Sequence, residues 1–398
     1  MTRAKWSSTR KGWAVTALAA LLVCVVTSGV NAGSAAAGDV DGAPVAGSST
    51  AATADSAPVP PPFSPSSTSW TSATEGWVLG WTPCGSEDCA RLMHTTNGGD
   101  SWTEVNAPDV SPSIYSRQTR VFFAQGGGHT VGLVTNGNEL YTSFDGGRTW
   151  QRESFPGADK LGAIGSTSKE VYMVAFRGPG YTTTTYVLRT PLAERDWQKM
   201  PGVAVTGDGS VSSYSSSISG TGKELQIGTS AWGGAVRLWS SGALPTGSSR
   251  DTLRTSIPCS DHSVMQAGLA AAGRSYVVCS YNPGIGHMYK QLKSSPDGVS
   301  FSPVSKAPLA GITSDFAVTG TGTLAVGARG GGTGIVYMSF DGGQSWSTNL
   351  WAEDTGTVND LAFQDPLHGT LVAGSAGIDH SVVYRTVDGG HTWTPLKF

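Results

Sequence analysis

The chain has 398 residues, of which 54 are glycine, and only 14% are Asp, Glu, Lys or Arg. Soluble proteins average about 7% glycine and about 25% charged residues, so this composition disfavours coiled coils and helical bundles, whose surfaces need charged side chains. A hydrophobic fraction of 38% supplies enough apolar side chains for a core, and a formal net charge of −3 argues against nucleic-acid partners, which require a basic surface.

The N-terminal segment, 1–32, has the features of a secretory signal peptide. Basic side chains precede an apolar run over 14–26, which is too short to span a bilayer comfortably, and Val30-Asn31-Ala32 fits the cleavage pattern of small residues. Two alternatives remain open: a lipoprotein anchored at Cys24, although the preceding Val23 is bulkier than a lipobox requires, and an uncleaved membrane anchor. We expect a secreted or cell-envelope protein with no membrane span after cleavage.

The next segment, 33–67, consists mainly of Ala, Ser, Gly, Thr and Pro. Such a composition cannot bury enough apolar surface to offset the loss of chain entropy on folding. We therefore predict a flexible linker that ends where the first repeat begins, at Thr68.

One eight-residue motif recurs along the rest of the chain. The clear copies cover 95–102, 143–150, 339–346 and 386–393, and a copy one residue shorter covers 295–301. The acidic or Asn positions of these copies are 48, 152, 44 and 47 residues apart. The long step equals about three ordinary ones, so we expect two eroded copies, over 190–197 and near 239–242. Seven units then fill 68–398, which we predict to be one repeat domain.

Each unit has the pattern of four short strands. In the second unit, β-branched and aromatic runs over 121–125, 130–135, 139–144 and 149–154 are separated by Gly, Asn and Asp turns. Four-stranded sheets at a period of about 40–50 residues are typical of propeller blades. The sequence therefore predicts an all-β, seven-bladed β-propeller of antiparallel blades. All units share one phase, so the ring closes either without a swapped strand or with a strand from the segment before Thr68.

The motif combines groups that stabilise a tight hairpin between the third and fourth strands of a blade. An Asp carboxylate accepts backbone N–H groups of its own turn, the second Gly adopts a left-handed conformation, and a Ser or Thr hydroxyl adds a local hydrogen bond. The final aromatic ring packs against the neighbouring sheet. The residues predicted in these roles are Asn97, Trp102, Asp145, Trp150, Asp297, Phe301, Asp341, Trp346, Asp388 and Trp393.

This motif resembles the Asp-box (BNR) repeat, and the copies cover nearly all of 68–398. The resemblance implies that the boxes are structural and lie on the outer edge of a propeller, away from any ligand. Asp-box propellers include sialidases and photosystem II assembly factors, and the phrase over 75–80 is similar to the repeat of the latter group.

The resemblance to sialidases sets a chemical requirement for catalysis. A sialidase needs three Arg residues around a carboxylate, a Tyr nucleophile with a Glu partner, and an acidic proton donor. Its Phe-Arg-Ile-Pro signature should precede the first box, whereas the nearest string, Phe176-Arg177-Gly178-Pro179, lies in the third unit with Gly in place of Ile. We identify no catalytic residue and expect a non-enzymatic protein; a sialidase-like exo-glycosidase is the alternative.

The cysteine count supports an exported protein. Removal of the signal peptide takes Cys24 away and leaves an even number, which in an oxidising compartment predicts two disulfides. Proximity favours Cys84–Cys89 and Cys259–Cys279 among the three possible connectivities. The cysteine spacings do not suit a metal site, and we expect neither a metal nor another cofactor.

Propeller ligands bind at the face formed by the loops between strands two and three and between blades, opposite the boxes. The side chains expected on that rim are Trp81, Arg177, Tyr181, Trp232, Tyr281, His287, Arg329 and His380. Flat aromatic rings with a few polar groups suit a glycan or protein ligand. The alternative is that these residues are scattered and share no site. We expect a monomer that binds or scaffolds at the cell envelope or outside the cell.

Overall fold

The computed structural model describes most of the chain after residue 61, and Val59–Phe398 form one compact unit. The described stretches are 62–112, 119–126, 128–153, 157–178, 182–208, 214–220, 224–231, 236–240, 253–260, 263–270, 273–284, 286–374 and 381–398. The predicted signal peptide and most of the predicted linker lie outside these stretches.

The described residues contain no helix and form seven four-stranded antiparallel sheets, called blades 1–7 in chain order. Blade 1 contains β1 (Ser64–Trp70), β2 (Gly76–Cys84), β3 (Glu87–Thr95) and β4 (Thr103–Val105), and blade 2 contains β5 (Thr119–Gly126), β6 (His129–Asn136), β7 (Glu139–Ser143) and β8 (Gln151–Arg152). Blade 3 contains β9 (Lys160–Ser166), β10 (Glu170–Arg177), β11 (Thr182–Pro191) and β12 (Gln198–Asp208), and blade 4 contains β13 (Tyr214–Gly220), β14 (Leu225–Ala231), β15 (Arg237–Ser240) and β16 (Arg254–Ser256).

The remaining blades repeat the same arrangement. Blade 5 contains β17 (Val264–Leu269), β18 (Ser275–Gly284), β19 (His287–Ser295) and β20 (Ser302–Ala307), and blade 6 contains β21 (Ile312–Val318), β22 (Leu324–Gly330), β23 (Thr333–Ser339) and β24 (Ser347–Ala352). Blade 7 contains β25 (Val358–Phe363), β26 (Gly369–Ala373), β27 (Val382–Thr386) and β28 (Thr394–Pro395).

The blades form a closed ring. The first strands of successive blades contact one another, and β25 of blade 7 contacts β1 of blade 1. The predicted seven-bladed β-propeller is therefore confirmed. Every blade is built from four consecutive strands, so the ring closes without a swapped strand. β1 begins at Ser64, ahead of the expected boundary at Thr68, and these residues lengthen the inner strand of blade 1.

The strands predicted from the sequence agree with the observed strands where the box motif is intact. In blade 2 the observed strands overlap the four predicted runs, because Gly, Asn and Asp turns separate them. The eroded copy over 190–197 falls at the connection between β11 and β12, where the box hairpin belongs. The copy expected near 239–242 starts at the end of β15, and its remainder lies outside the described residues.

The core of the described residues is divided into seven apolar clusters, one at each boundary between blades. The clusters follow from strand alternation: Val174 and Phe176 of β10 face blade 4, whereas Met173 and Ala175 of the same strand face blade 2. Each blade is thus buried on both faces, which accounts for the low charge of the chain. The smallest cluster lies between blades 7 and 1, where Val78, Val372 and Val383 are the buried members.

The box of blade 2 shows how the motif stabilises its hairpin. Asp145 Oδ1 accepts hydrogen bonds from the backbone N–H groups of Arg148 (3.0 Å) and Thr149 (2.9 Å) and from the Ser143 hydroxyl (2.8 Å). Gly147, at φ 91°, donates its N–H to Ser143 Oγ over 2.9 Å. Burial opposes ionisation, but these bonds and the one from Thr149 Oγ1 hold the pKa of Asp145 at about 2.

The other boxes repeat this network. In blade 1 Asn97 replaces the acid: its Oδ1 accepts the Ser101 N–H (3.0 Å) and its Nδ2 donates to Ser101 Oγ (2.8 Å). The box rings pack against the preceding blade, as Trp346 shows by donating its Nε1–H to Ser305 Oγ of blade 5 over 3.1 Å. The boxes are therefore self-contained turns whose aromatic rings join neighbouring blades.

The seam between blades 7 and 1 is held by aromatic and ionic contacts around its small apolar cluster. The Phe398 ring lies 4.9 Å from the Phe63 ring and 4.8 Å from the Trp102 ring. The Arg385 guanidinium of blade 7 lies 4.8 Å over the Trp70 ring. These contacts replace the strand exchange that closes many rings.

An aspartate closes the same seam on the inner side of the ring. Asp360 of β25 accepts the Thr68 N–H of β1 over 3.1 Å, and its other oxygen accepts a hydrogen bond from Arg120 Nη1 of β5 over 2.6 Å. Its backbone has φ 48°, a left-handed conformation that Asp tolerates better than most residues. One side chain thus links blades 7, 1 and 2.

Asp145→Asn tests the electrostatic part of a box. Because the pKa of Asp145 is lowered from 3.8 to about 2 in the folded state, its stabilising contribution is present above pH 3.8 and lost as the pH falls through about 2. We expect the variant to lose about 0.5–1 kcal/mol near neutral pH, since exposed charges are screened, and nothing at the acid limit. Urea titrations across this range measure the difference. The reciprocal variant Asn97→Asp should gain stability relative to the parent as the pH rises, because it adds a carboxylate to the box of blade 1. A stability difference from the parent that stays constant with pH for both variants would contradict this electrostatic contribution.

Asp360→Ala tests the hydrogen bonds that Asp360 forms with Thr68 and Arg120 on the inner side of the ring. We expect a loss of about 2–4 kcal/mol in the free energy of unfolding, because a charged hydrogen-bond acceptor is removed and Ala disfavours the left-handed conformation. Asp360→Asn, which keeps one acceptor and tolerates that conformation, should lose less. Asp354→Ala is the matched control, since Asp354 also has positive φ (57°) but is exposed. Equal losses of unfolding free energy for D360A and D354A in guanidinium titrations would show that the hydrogen bonds of Asp360 do not stabilise the seam.

Candidate functional site

The strand directions define two ends of the ring. Each inner strand runs from the connection between blades toward the hairpin that joins it to the second strand. The loops between strands two and three therefore share one end with the connections between blades; we call this end the ligand face. The boxes lie at the other end, the box face.

Four of the predicted rim residues are exposed at the ligand face. Arg177 ends β10, Tyr281 lies near the end of β18 and is 40% exposed, His287 begins β19, and Arg329 lies near the end of β22. Three further members of the rim, Tyr181, Trp232 and His380, lie outside the described residues.

Trp81 does not stand on the rim. It is 4% exposed and packs in the cluster between blades 1 and 2. Trp77, Leu79 and Trp81 alternate along β2 and share its buried face. That alternation places the Trp81 ring between blades 1 and 2, so it is unavailable to a ligand.

The exposed rim residues are distributed over blades 3, 5 and 6. The Tyr281 ring lies 5.1 Å from the Tyr289 ring of the neighbouring strand, and Lys306 Nζ lies 5.8 Å from the Tyr289 ring. His287 pairs with Ala310 in the connection to blade 6. Arg177 belongs to blade 3, so blade 4 separates it from this group. The described rim therefore contains an aromatic and cationic group on blade 5, with Arg329 on blade 6 and Arg177 on blade 3.

A charged cluster on the inner strands was missed by the sequence analysis. Arg120 of β5 is half-exposed, with 43% of its side chain accessible, and pairs with Asp360, which is 9% accessible. Asp315 of β21 accepts the N–H groups of Phe316 (2.8 Å) and Leu361 (3.0 Å). Lys160 lies at the start of β9, close enough to Arg120 to interact electrostatically. The only signal in the sequence is a charged residue early in strands that otherwise carry apolar and hydroxyl side chains.

We call Arg120, Lys160, Asp315 and Asp360 the channel cluster. Burial is the main cause of the pKa shifts of Asp315 and Lys160. Burial raises the pKa of Asp315 to about 6, and Asp360 adds to the effect, whereas Arg120 and the two N–H donors oppose it. Burial and the charge of Arg120 lower the pKa of Lys160. The cluster has equal numbers of acids and bases, and the oxygens of both carboxylates are engaged in hydrogen bonds.

Both disulfides lie at the ligand face and confirm the predicted pairing. Cys84–Cys89 crosses the loop between β2 and β3, with Cα atoms 5.8 Å apart. Cys259–Cys279 joins the connection between blades 4 and 5 to β18, and both residues are buried. No group of three or more His, Cys, Asp or Glu side chains suited to a metal ion occurs in the described part of the chain. Within the same stretches, no helix has the length and apolar character needed to cross a membrane.

A cavity of about 190 Å³ lies on the box face. Phe340, Asp341 and Trp346 line it. The Asp341 carboxylate accepts hydrogen bonds from Ser339 Oγ (2.8 Å) and from the N–H of Ser345 (2.9 Å). The Asp341 carboxylate of this cavity is therefore committed to the box hairpin.

Asp315→Asn tests the electrostatics of the channel cluster. The pKa of Asp315 is about 6 in the folded state against 3.8 for the free side chain, so the folded state binds more protons in this window and becomes less stable as the pH rises through it. Asn cannot ionise. The stability of D315N relative to the parent should therefore be more favourable by about 1–3 kcal/mol near pH 7.5 than near pH 4. Urea titrations at both pH values measure this; a relative stability that does not change with pH would contradict the cluster geometry.

Comparison with known proteins agrees with the box motif and the ring. The BNR/Asp-box repeat family model matches residues 141–152 and 337–348, each of which contains an intact box. No curated protein matches the sequence significantly. A prolyl endopeptidase structure aligns with a TM-score of 0.54 and 12% identity over 84% of this chain and 49% of that chain, so this chain spans about half of that enzyme.

Two further solved structures have lower TM-scores. YCF48 from Cyanidioschyzon merolae aligns with a TM-score of 0.38 and 17% identity over 85% of this chain and 86% of that chain. The Hadza microbial sialidase Hz136 aligns with a TM-score of 0.43 and 13% identity over 76% of this chain and 73% of that chain. At identities of 12%, 17% and 13%, these structures give no information about the function of this chain. The chain is a seven-bladed β-propeller in which the BNR/Asp-box family model matches the box hairpins of blades 2 and 6.

Proposed function

We propose that this protein is an exported, non-enzymatic propeller that binds a glycan or protein ligand through its ligand face, as a monomer at the cell envelope or outside the cell. The proposal rests on the exposed side chains of the ligand face and on the hydrogen bonds that occupy the carboxylates of Asp315 and Asp360.

The use of the two channel carboxylates is the observation that carries the proposal. A glycosidase needs one carboxyl group to donate a proton and a second group to act as base or nucleophile. Asp360 instead accepts the Thr68 N–H and the Arg120 side chain, and Asp315 accepts two backbone N–H groups. These acids join inner strands, and moving either one to a substrate would break contacts between blades.

The exposed side chains of the ligand face suit binding. Tyr281 offers a ring for stacking, and His287 and Arg329 offer polar groups on neighbouring blades. Aromatic anchors surrounded by polar groups supply most of the affinity in protein and small-molecule sites. The two disulfides near the ligand face are compatible with an oxidising compartment, which supports export.

One observation favours the alternative, a sialidase-like glycosidase. A carboxyl group with a pKa of about 6 beside an arginine has the acidity of a general acid. Against this, Asp315 uses both of its oxygens in backbone hydrogen bonds. The alternative therefore requires Asp315 to exchange these bonds for a substrate.

Binding and hydrolysis can be separated with the mature chain, 33–398. A glycan array and a peptide array find the ligand class, and a panel of fluorogenic glycosides measures turnover. We expect binding without turnover, and we expect Tyr281→Ala to weaken it about 5- to 30-fold, as loss of an aromatic anchor does.

Leu367→Ala is the matched control for this experiment. Leu367 is 55% exposed but belongs to the hairpin between β25 and β26, on the box face, so its variant should bind normally. Hydrolysis of any sialoside that is abolished by Asp315→Asn would establish the enzyme instead. Binding lost in L367A and retained in Y281A would place the ligand on the other face.

A further inference from the structure

Lys290 is a buried cation that neither the boxes nor the channel cluster accounts for. It lies on β19 and is 0% exposed. Burial lowers its pKa to about 8, so it remains mostly cationic at neutral pH, and among the residues that the structure describes no carboxylate contributes to that pKa. A charge buried without a counter-ion must be compensated by other polar groups.

Backbone carbonyl groups provide that compensation. Lys290 Nζ lies within hydrogen-bond distance of five carbonyl oxygens, which belong to Met288 (3.2 Å), Pro308 (2.8 Å), Leu309 (3.1 Å), Ala310 (3.0 Å) and Gly311 (2.9 Å). Four of these oxygens come from consecutive residues, 308–311, in the connection between blades 5 and 6. An ammonium group has only three protons, so this shell is a coordination sphere and not a set of ordinary hydrogen bonds.

The size of the carbonyl cage indicates the class of cation that it fits. Its distances of 2.8–3.2 Å exceed the 2.3–2.6 Å typical of Ca²⁺ and the 2.0–2.1 Å typical of Mg²⁺. Rings of backbone carbonyls are the groups that replace the hydration shell of K⁺. The cage therefore matches a large monovalent ion such as ammonium or K⁺.

We propose that the 308–311 loop with the Met288 carbonyl is a monovalent-cation site whose occupant is the chain's own Lys290 ammonium group, and that this tethered cation fixes the shape of the loop. Four converging carbonyl dipoles repel one another, so the loop needs a cation at their centre. Neighbouring contacts depend on the same geometry: Tyr337 Oη donates to the Ala310 carbonyl over 3.1 Å, and the Met288 N–H donates to the Leu309 carbonyl over 3.1 Å.

The site lies beneath the ligand face. His287 pairs with Ala310, and the Gly311 N–H donates to the Gly286 carbonyl over 3.2 Å, so the caged loop is joined to the start of β19. Lys290 is thus a positioning residue for His287. This consequence rests on the proposed function, whereas the cage itself is testable without any ligand.

Chemical rescue tests the cage. Lys290→Ala leaves the carbonyl shell without a cation, so the Gly311 amide should exchange hydrogen about 10-fold faster or more than in the parent. Ammonium, methylammonium or K⁺ should then raise the Tm of the variant by at least about 2 °C over choline or Ca²⁺ at equal ionic strength. The parent protein should show no such selectivity.

Two variants control for packing and for general salt effects. Lys290→Met fills the space without a charge and should not respond to ammonium. Lys293→Ala removes a lysine of the same strand whose Nζ contacts one carbonyl, that of Pro258, at 2.6 Å, and it should not respond either. Equal Tm values for K290A in choline and ammonium, or equal rescue of K293A, would overturn the proposal.

A measurement on the parent protein covers the case in which the variants do not fold. In protein labelled with ¹⁵N-lysine, the Lys290 amine should give a charged, slowly exchanging NH₃⁺ signal near neutral pH. A neutral amine there, or rapid exchange of its protons with water, would show that no caged cation exists. Neither result depends on the arrays that test ligand binding, so the two proposals can fail separately.

Discussion

The packing of each blade against both of its neighbours is the constraint on which this structure depends. A four-stranded blade with two apolar faces cannot be stable alone, and only a closed ring covers both faces of every blade. Closure is hardest between blades 7 and 1, where the apolar cluster is smallest and no strand is exchanged. The rings of Phe63, Trp102 and Phe398 and the hydrogen bonds of Asp360 add contacts across this seam.

The same constraint explains the charges in the channel. Neighbouring inner strands are joined through side-chain oxygens that accept N–H groups of the next strand. Ser67 does so for Val121 over 3.0 Å and Ser217 for Ala267 over 3.2 Å, as Asp315 does for Leu361. The acids continue a series that elsewhere uses hydroxyl groups. The position of Asp315 and Asp360 on inner strands is therefore explained by closure of the ring before any catalytic role is considered.

Sequence reasoning succeeded where the physics is local. A box is stabilised by its own residues, so its spacing counts the blades even when the motif is eroded, and the pairing of Cys84 with Cys89 follows from their proximity. It failed where distant segments converge. Nothing near Arg120 in the sequence indicates Asp360, and the position of Trp81 beside a loop does not indicate that blade 2 covers its ring. The carbonyl shell of Lys290 is formed by backbone atoms, which leave no residue signature.

The two ends of the ring achieve rigidity by different means, and the difference bears on function. At the box face, the hairpins with an intact box are held by their own side chains, and the same hydrogen-bond network recurs in several blades. At the ligand face, the loops vary, and individual devices hold them: a disulfide across the loop of blade 1, another beside β18, and the caged ammonium of Lys290. A surface held in shape before a ligand arrives loses less conformational entropy on binding. Variable loops on rigid supports are what a binding face requires, and uniform self-contained hairpins are what a scaffold requires.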